Sequence, residues 1–376
     1  MNTTLETAVR LIASPGAWME GEALRQFYAC ANLDGVRQAV GFPDLHPGKR
    51  VPVGAAFVTE GLIYPHLIGG DIGCGMTLWQ TDLPRRRAKS ERWAELPFSL
   101  ETRWEGNLGG WLQDNQLPSS PFDASMGTLG GGNHFAELQA VEDVHDAGAF
   151  AKTGLNKADL ALLVHSGSRG YGESICRAHM AEHVTDGMDP ESAAGEAYRA
   201  EHDLALRWAQ ASRELIARRF LEALDADGGP AWDGCHNSVT PVEANGGTLW
   251  IHRRGAVTAG GTPLVIPGSR GALSYLVKPA GHEASHAWSL AHGAGRKWAR
   301  SETRLRVRER FRATELMQTS LGSHVICGDR DLLYEEAPMA YKPVESVIEA
   351  LLNAGLIQVI ATLRPVLTYK TRGLRR

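Results

Sequence analysis

Several side chains of the kinds that bind metal ions stand in glycine-rich segments of this sequence. They are Asp71, Cys74, His134, His165 and His236. One thiolate, one carboxylate and three imidazoles exceed what a single tetrahedral site needs, and a thiolate is able to bridge two ions. The neighbouring glycines allow backbone and phosphate oxygens to approach closely. The set therefore indicates a two-metal site for a substrate that carries phosphate.

Each of these motifs also has a purely structural interpretation. A glycine-flanked aspartate or cysteine is typical of a turn with a buried thiol, and His165 at a strand end is typical of a hydrogen-bonded structural histidine. Asn237, which follows His236, is a common turn former. The coincidence of several histidines in Gly, Asn and Ser contexts favours the metal site. By contrast, His179, His183 and His202 lie in helical patterns, and we assign them no ligand role.

A second group of candidate residues is the segment His292-Gly293-Ala294-Gly295-Arg296. An imidazole attacks phosphorus when its other ring nitrogen is held by a partner. The backbone amides of residues 293–295 are suited to cradling nucleotide phosphates, and Arg296 to meeting phosphate oxygens bidentately. The alternative is a loop that caps the N-terminus of a helix.

A third segment, Pro267-Gly268-Ser269-Arg270-Gly271, is followed by Ser274. A Gly/Ser loop after a strand is a common cradle for a phosphate or a base, and equally a common turn. Taken alone, this segment does not decide between the two.

Arginines recur every four residues in the segment that follows His292. They are Arg296, Arg300, Arg304, Arg308 and Arg312, with Lys297, Arg306 and Arg310 beside them. This spacing keeps them on one broad helix face. In one interpretation, this helix face lies beside the nucleotide cleft and follows a nucleic-acid backbone. In the other, it is a solvated helix face whose arginines pair partly with Glu302 and Glu309.

Composition limits the class of protein, its cellular compartment and its mode of nucleic-acid binding. The chain has 376 residues, 43% hydrophobic and 22% charged, and a net charge of -4, so nucleic-acid binding would need a local basic patch. Its five cysteines are widely spaced and odd in number, which favours reduced thiols over a disulfide framework. The first residues lack a signal-peptide pattern, and no apolar run is long enough to span a membrane. We expect a cytoplasmic protein.

The hydrophobic and glycine patterns predict one compact α+β domain over residues 1–376. Helices are predicted over residues 20–33, 191–225 and 297–318, and a hairpin at Asn245-Gly246-Gly247. Strands are predicted over Val51–Val58, Leu62–Ile68, Leu160–Val164, Thr248–His252, Pro263–Ile266 and Leu356–Tyr369. The candidate ligands come from the ends of elements spread over residues 71–236, so one domain that folds these loops together fits better than two.

The ordered series of motifs resembles the RtcB family of RNA ligases almost from end to end. The matching segments are Phe42–Gly48, Gly70–Gly75, Gly127–Phe135, Val164–Gly170, Cys235–Asn237, His252–Ala256, Pro267–Ser269, His292–Arg296, Glu336–Lys342 and Leu363–Val366. Members of this family join RNA 3′-phosphate or 2′,3′-cyclic phosphate ends to 5′-hydroxyl ends, using GTP and manganese. The resemblance implies an α+β fold with a β-sandwich-like core, flanking helices and a central cleft for metal and nucleotide.

The resemblance also implies roles for individual residues. Cys74, His165 and His236 would hold one Mn²⁺, while Asp71, Cys74 and His134 would hold a second. His292 would be the nucleophile that becomes guanylylated, with Asp44 orienting its imidazole. The GTP-binding residues would be Asn133, Glu137, Asn237, Pro267, Gly268, Ser269, Ser274, Gly293, Ala294, Gly295, Arg296 and Lys370.

Two positions depart from the family pattern. Arg254 stands where a lysine is usual, and Arg270 stands where a methionine is usual. With these departures, the RNA substrate stays open between split tRNA and damaged ribosomal RNA. The sequence also leaves open whether the protein needs a protein activator. Two other classes of function stay open: a two-metal phosphoesterase or nuclease without a covalent histidine, and a non-catalytic RNA-binding relative.

Overall fold

The computed structural model of the protein describes residues 7–16, 18–182, 187–244 and 246–373. The α-helices are α1 (Gly21–Ala31), α2 (Pro65–Ile68), α3 (Ser90–Glu95), α4 (Leu108–Asp114), α5 (Ala147–Ala151), α6 (Gly170–Glu182), α7 (Ala193–Ala223), α8 (Arg300–Arg308), α9 (Arg330–Glu335) and α10 (Val344–Asn353). The strands are β1 (Ala8–Leu11), β2 (Val36–His46), β3 (Val53–Glu60), β4 (Gly75–Pro84), β5 (Phe135–Val144), β6 (Asp159–Ser166), β7 (Gly228–Cys235), β8 (Asn237–Ala244), β9 (Gly247–Arg254), β10 (Ala256–Thr258), β11 (Leu264–Ile266), β12 (Ser274–Pro279), β13 (Ser289–Ala291), β14 (His324–Cys327) and β15 (Ile357–Thr371).

The larger sheet has eight strands in the order β11-β12-β15-β5-β6-β4-β7, with β14 paired to β15. Its central strand β6 is a continuous apolar run because both faces of the sheet are covered. Leu160, Leu162 and Val164 pack with Ile216 and other residues of α7 on one face. Ala161 and Leu163 belong to the apolar cluster on the other face. The sheet therefore gives a rigid, buried base for anything that its strand ends carry.

The second sheet has five strands in the order β1-β2-β3-β9-β8, and a short ribbon pairs β10 with β13. One core cluster includes Phe42 of this sheet, Leu290 of the ribbon, Ile266 and Val277 of the larger sheet, and Leu351 of α10. The two sheets thus share a core, and the protein is a single α+β domain, as predicted. Among the described residues, no helix is both long and apolar enough to cross a membrane.

Most of the predicted elements are confirmed with small shifts of their ends. The segment 20–33 contains α1, residues 191–225 contain α7, and Leu356–Tyr369 becomes β15. The strand Val51–Val58 is β3, Leu160–Val164 is β6, and the predicted strands at Thr248–His252 and Pro263–Ile266 are β9 and β11. The hairpin joins β8 to β9 as expected. Asn245 lies outside the described residues, as does His183.

The strand predicted over Leu62–Ile68 is wrong. Ile63 forms one isolated bridge with Met188, and the chain then enters α2. Pro65 occupies the first turn of this helix, where its fixed φ is favourable and its missing N–H costs nothing. Gly69, at φ +76°, ends the helix. The apolar residues reflect burial in the core, and proline and glycine decide the backbone conformation.

The helix predicted over residues 297–318 is only partly correct. Arg296 is held in a bridge with Tyr341, so α8 begins later, at Arg300. After Arg308 the chain turns, since Phe311 and Leu316 are drawn into an apolar cluster with β14 and α9. Residues 313–316 then form a short 3₁₀ helix. Tertiary contacts at both ends override the helix propensity of the arginine-rich segment.

A buried arginine on α7 holds together the loops that carry the candidate site. The Arg213 side chain is 1% exposed and forms a two-pronged ion pair with Asp233, with N–O distances of 2.9 and 2.7 Å. Its Nη1 donates to the carbonyl oxygens of Gly73 and Ser166, at 2.7 and 3.1 Å. These carbonyls flank Cys74 and His165, so Arg213 fixes the separation of two candidate ligand segments.

We expect Arg213→Leu to lower the free energy of unfolding by about 3–5 kcal/mol, because it leaves a carboxylate and two carbonyls without their buried donor. Chemical denaturation of both proteins measures the difference. The control is Arg37→Leu, which breaks an exposed pair with Glu60 and should cost less than about 1 kcal/mol. Equal losses in the two variants would show that Arg213 is not a structural brace.

Candidate metal and nucleotide site

The candidate metal ligands lie at the same end of four neighbouring strands. Cys74 immediately precedes β4, His134 immediately precedes β5, His165 is the penultimate residue of β6, and His236 immediately follows β7. The register places Phe135 opposite His165. It also places Gly75 opposite both Ser166 and Cys235. Antiparallel pairing therefore brings together residues that are up to 162 positions apart in the sequence.

The first group of ligand atoms surrounds the Cys74 thiol. Cys74 Sγ lies 3.3 Å from His165 Nε2, which lies 3.3 Å from His236 Nε2. All three residues are buried, and their ligand atoms lie within 4.8 Å of one another. This is the group predicted to hold one of the two ions.

The second group shares the same thiol. His134 Nε2 lies 3.5 Å from Cys74 Sγ and 3.1 Å from Asp71 Oδ2. The Asp71 carboxylate also accepts from the backbone N–H of Arg169, at 2.7 Å. A Cβ atom at Gly167 would lie only 2.4 Å from Asp71 Oδ1, so the carboxylate requires glycine at that position. The structure thus brings together all five predicted metal ligands in two groups that share Cys74.

Hydrogen bonds to the other ring nitrogens assign the histidine tautomers. His134 Nδ1 faces the Leu129 carbonyl at 3.1 Å, and His165 Nδ1 faces the Asn133 carbonyl at 3.3 Å. Since a carbonyl only accepts, each Nδ1 carries a proton, and in a neutral ring Nε2 then presents a lone pair. These lone pairs converge with sulfur and carboxylate atoms. Such a convergence of acceptors is what a cation satisfies, so the residues fit a metal site.

Burial governs the ionisation of these groups. It lowers the pKa of His165 and of His236 well below the usual value, which keeps the imidazoles neutral and able to act as ligands. It also raises the pKa of the Cys74 thiol well above the usual value, and the Asp71 carboxylate adds to this. A thiol in this position ionises only if a cation offsets the cost. The donor set is thus suited to divalent ions such as Mn²⁺ or Zn²⁺.

The predicted nucleophile lies beside the first group of ligands. The His292 ring is 4.7 Å from the His236 ring, centroid to centroid. His292 Nδ1 is 2.7 Å from Oδ2 of Asp44, a fully buried residue of β2. The same oxygen accepts from the backbone N–H of His292 at 3.3 Å. Lys342 Nζ donates to the carbonyl oxygens of Pro43 and Leu45, at 3.0 and 2.8 Å, and so holds the Asp44 backbone in place.

Three of the predicted nucleotide-binding residues come from adjacent strands of the larger sheet. Glu137 on β5 lies opposite Thr368 on β15, two residues before Lys370, and Ser274 begins β12. Burial raises the pKa of Glu137 to about 7, although the Thr368 hydroxyl and the Lys370 and Arg270 cations oppose this shift. Lys370 Nζ donates to the Gly132 carbonyl at 2.8 Å, and burial lowers its pKa to about 8.

The two glycine-rich loops lie against one another at the nucleophile. A Cβ atom at Gly293 would lie 3.5 Å from the Pro267 carbonyl oxygen. Gly295 adopts φ +72°, and a Cβ atom there would lie 2.3 Å from the Asp44 carbonyl oxygen, so only glycine fits. Ala294 is buried, and Gly268 and Ser269 are half-buried. The phosphate-cradling role of these loops stays a prediction.

Two of the predicted nucleotide-binding residues are already engaged by protein groups. Arg296 donates to Glu336 at 2.9 Å, to the Glu335 carbonyl at 2.8 Å and to the Trp298 carbonyl at 3.1 Å. Binding phosphate would require it to exchange these partners. The Asn237 side chain donates to the Asp71 carbonyl at 3.1 Å and accepts from the Gly255 N–H at 2.9 Å. Both residues brace the loops of the site.

The arginine stripe is largely neutralised by α9 and its C-terminal end. Arg304 pairs with Asp331 at 2.9 Å and lies 3.7 Å from Glu335, while Arg308 pairs with Asp331 at 3.5 Å. Arg300 pairs with Glu336 at 3.3 Å, and its Nη2 would lie 3.0 Å from a Cβ atom at Gly132. Near the site, the stripe therefore contributes Arg296, which is paired as described above, and Arg300. The pairing favours the interpretation of Arg304 and Arg308 as a paired helix face.

Sequence reasoning missed several residues that support the site. Gln139 donates to Glu137 at 2.6 Å and to Ser274 at 3.2 Å. Arg213 and Lys342 hold backbone segments as described above. Alternation along the strand would have placed Gln139 on the same face as Glu137. No local pattern distinguishes Arg213 from the other arginines of α7, because its partners lie in distant loops.

The fold and the site together define a class of protein. It is an α+β protein with two candidate metal-binding groups that share Cys74, next to a histidine that is oriented by a buried aspartate. The family model described as tRNA-splicing ligase RtcB matches residues 26–116 and 113–371. The chain therefore belongs to the RtcB family.

Individual relatives agree with this assignment. The chain is 46% identical over 373 residues to the RNA-splicing ligase RtcB2 of Escherichia coli. The aligned region covers 98% of this chain and 97% of the relative. It is 28% identical to the RNA-splicing ligase RtcB of Escherichia coli strain K12, covering 98% of each. It is 26% identical to the tRNA-splicing ligase RtcB of Thermococcus kodakarensis, covering 92% of this chain and 90% of the relative.

Because Cys74 belongs to both ligand groups, we expect Cys74→Ala to weaken binding of both ions, each by at least about tenfold. Metal analysis after equilibration with Mn²⁺ and gel filtration measures this. The matched control is Cys30→Ala, another buried free cysteine, which should keep the metal content of the parent protein. Full occupancy of two ions in the Cys74 variant would rule out the shared thiol.

Proposed function

We propose that this protein is a GTP- and manganese-dependent RNA ligase. It joins RNA 3′-phosphate or 2′,3′-cyclic phosphate ends to 5′-hydroxyl ends through a covalent His292–GMP intermediate. Its substrates are broken RNAs that arise in splicing or damage, such as tRNA or ribosomal RNA. That the protein is an RNA-splicing ligase is supported by the names of its relatives and of the matching family.

The observation that carries the finer proposal is the Asp44–His292 pair. Asp44 is fully buried and holds His292 Nδ1 at 2.7 Å. This contact fixes the tautomer with a proton on Nδ1 and leaves the Nε2 lone pair as the nucleophile. The pair stands next to His236, so the nucleophile adjoins the place where phosphate oxygens would be neutralised. A phosphoesterase that uses activated water would employ such a pair only as a general acid or base, so formation of a covalent GMP adduct distinguishes the two classes.

In the first step, His292 Nε2 attacks the α-phosphorus of GTP. A P–N bond forms, the bond from the α-phosphorus to the bridging oxygen breaks, and pyrophosphate leaves. The Nδ1 proton stays hydrogen-bonded to the Asp44 carboxylate, which stabilises the positive charge on the ring. The product is a histidine–GMP phosphoramidate.

In the second step, an oxygen of the RNA 3′-phosphate attacks the phosphorus of that adduct. The P–N bond breaks, His292 is restored, and the RNA end carries GMP through a diphosphate linkage. The RNA 5′-hydroxyl then attacks the original 3′-phosphorus, loses its proton, and releases GMP as the new phosphodiester forms. A cyclic phosphate must first be hydrolysed to the 3′-phosphate.

Two divalent ions, held by the two groups that share Cys74, would neutralise phosphate oxygens and stabilise charge that develops at phosphorus. Manganese is the family's metal, and the mixed thiol, imidazole and carboxylate set accommodates it. Glu137, Ser274 and Lys370 would receive the guanine base. Gly293 and Ser269, on the facing loops, would border the phosphates.

We expect His292→Ala to abolish formation of the covalent GMP adduct while metal content is retained. Incubation with α-labelled GTP and Mn²⁺, followed by denaturing electrophoresis, measures the adduct. The variant should still join RNA whose 3′ end already carries diphosphate-linked guanosine, because that step no longer needs the imidazole. The matched control is His145→Ala, which removes an exposed histidine and should form the adduct normally.

Three outcomes would contradict the assignment. A GMP adduct in the alanine variant would place the nucleophile elsewhere. Absence of any adduct in the parent protein, together with cleavage of RNA phosphates, would identify a two-metal phosphoesterase or nuclease. RNA binding without adduct or cleavage would identify a non-catalytic relative.

A second prediction concerns RNA guidance. Because Arg304 and Arg308 already face Asp331 and Glu335, we expect the double variant Arg304→Gln, Arg308→Gln to leave the salt dependence of RNA binding nearly unchanged. The comparison is Lys49→Gln with Arg50→Gln, in the exposed loop that follows His46. These two cations form no ion pair among the described residues, and they follow β2, the strand that carries Asp44. If each contacts a phosphate, their loss should flatten the slope of log K against log salt by about 1.4.

RNA affinity measured over a range of salt concentrations decides between the two surfaces. A slope that flattens in the Arg304 and Arg308 variant, with the Lys49 and Arg50 variant unchanged, would make the α8 face the RNA track. Adduct formation from GTP should persist in both variants, since that step does not involve RNA.

A further inference from the structure

Arg270 is a buried cation at a position where the sequence departs from its family. It lies in the loop between β11 and β12, directly after Ser269, and is 7% exposed. The usual residue at this position is an apolar methionine, which needs no hydrogen-bond partner. Replacing it with a guanidinium adds a charge and three nitrogen donors to a closed part of the nucleotide-binding region.

The donors of this guanidinium are mostly unused. Nη2 donates to the Leu333 carbonyl at 3.0 Å. Nε and Nη1 are buried, and in the described part of the chain they have no hydrogen-bond partner. A buried charged donor without an acceptor is strongly unfavourable. The two orphaned nitrogens therefore indicate that Arg270 is built to meet an acceptor from outside the chain.

The nearby acids do not supply that acceptor. Glu336 accepts from Arg296 at 2.9 Å and from Arg300 at 3.3 Å, and it also receives the Tyr341 hydroxyl. Cys327 carries no charge to offer, because burial raises the pKa of its thiol to about 11. Glu137 does not serve either, because its oxygens accept from Gln139 and Thr368. Arg270 thus remains an excess cation in the loop that leads to Ser274, and Gln139 links Ser274 to Glu137 by donating to both.

The hydrogen-bond acceptor of Glu137 and the donors of Arg270 are complementary to the two edges of a guanine base. Guanine presents N1–H and the N2 amino group as donors on one edge, and O6 and N7 as acceptors on another. A carboxylate such as Glu137 matches the donor edge, and arginine is the side chain that best matches O6 and N7. Adenine has an amino donor in place of O6, which would face the cation unfavourably.

We propose that Arg270 is a specificity-determining residue that donates to the O6 and N7 edge of the guanine base, whose N1 and N2 edge pairs with Glu137. This inference rests on the proposed use of GTP and extends it, because it assigns base recognition to a residue outside the family pattern. Arg270 thereby supplements the contact expected from Lys370, whose Nζ is also committed to Gly132.

Nucleotide binding to metal-loaded protein tests the proposal. The probes are GTP, 7-deaza-GTP, which lacks N7, and 6-thio-GTP, in which sulfur replaces O6 with a weaker acceptor. Guanosine, which lacks the phosphates, and ATP, which carries another base, serve as references. We expect the parent protein to bind at least one analogue on the order of tenfold more weakly than GTP. Arg270→Met should bind GTP on the order of tenfold more weakly than the parent does and bind that analogue as well as GTP. Arg270→Lys should retain part of the discrimination.

The control is Arg37→Met, in strand β2 of the other sheet, where the side chain is 39% exposed. It should leave the binding of GTP and of both analogues unchanged. If Arg270→Met weakens GTP and both analogues by one common factor, the residue is structural and the proposal fails. If it weakens GTP but leaves guanosine binding unchanged, Arg270 contacts phosphate and base recognition fails.

The experiment separates this inference from the proposed function. A parent protein that neither binds GTP in preference to ATP nor forms a GMP adduct would overturn the proposed function. A parent protein that forms the adduct, with analogue discrimination that survives in Arg270→Met, overturns only the inference. Thermal unfolding of each variant ensures that the comparisons use folded protein; if Arg270→Met does not fold, Arg270→Lys and Arg270→Gln carry the same comparison.

Discussion

The site depends on one constraint, the crowding of lone-pair donors around the Cys74 thiol. Sulfur, three imidazole nitrogens and a carboxylate oxygen lie within 3.1–3.5 Å of one another in successive pairs. Burial leaves the imidazoles of His165 and His236 neutral and opposes ionisation of the thiol. Such a cluster is unfavourable for a protein without a cation, because acceptors face acceptors. The surrounding architecture has to hold these atoms together against that tendency.

The strand register and apolar packing of the larger sheet hold these ligand atoms together. Its strands β5, β6, β4 and β7 are neighbours, and their shared register brings the ligand residues to one end. Apolar packing on both faces of β6 makes this register costly to change, since a slip of one residue would exchange the two faces. Arg213 then ties the loops before β4 and after β6 to α7. The ligand positions are thus a consequence of the core and not of local sequence.

The predicted nucleophile, His292, is positioned beside the metal ligands by elements outside the larger sheet. Asp44 belongs to the smaller sheet, and His292 follows the ribbon strand β13. His236 stands at the junction, because β7 belongs to one sheet and β8 to the other. The shared core of the two sheets therefore sets the distance between the metal ligands and the nucleophile. Charge balance also depends on tertiary contacts: the acids of α9 pair with Arg304 and Arg308 of α8, while two buried donors of Arg270 have no partner among the described residues.

The sequence by itself determined the residue types, the order of the motifs and several elements, because glycine contexts, apolar runs and helix propensity are local properties. It identified the five ligands, His292 and Asp44 as candidates, although it did not measure their proximity. It misassigned Leu62–Ile68 and the ends of the 297–318 helix, where Pro65 and long-range contacts of Arg296 and Phe311 prevail. The family resemblance implied that Cys74 is common to two ligand groups, and the tertiary structure supplied the distances. Only the tertiary structure decided that Arg296 is already paired and that Nε and Nη1 of Arg270 are not. Those properties depend on which distant groups become neighbours, and sheet register and core packing alone specify that.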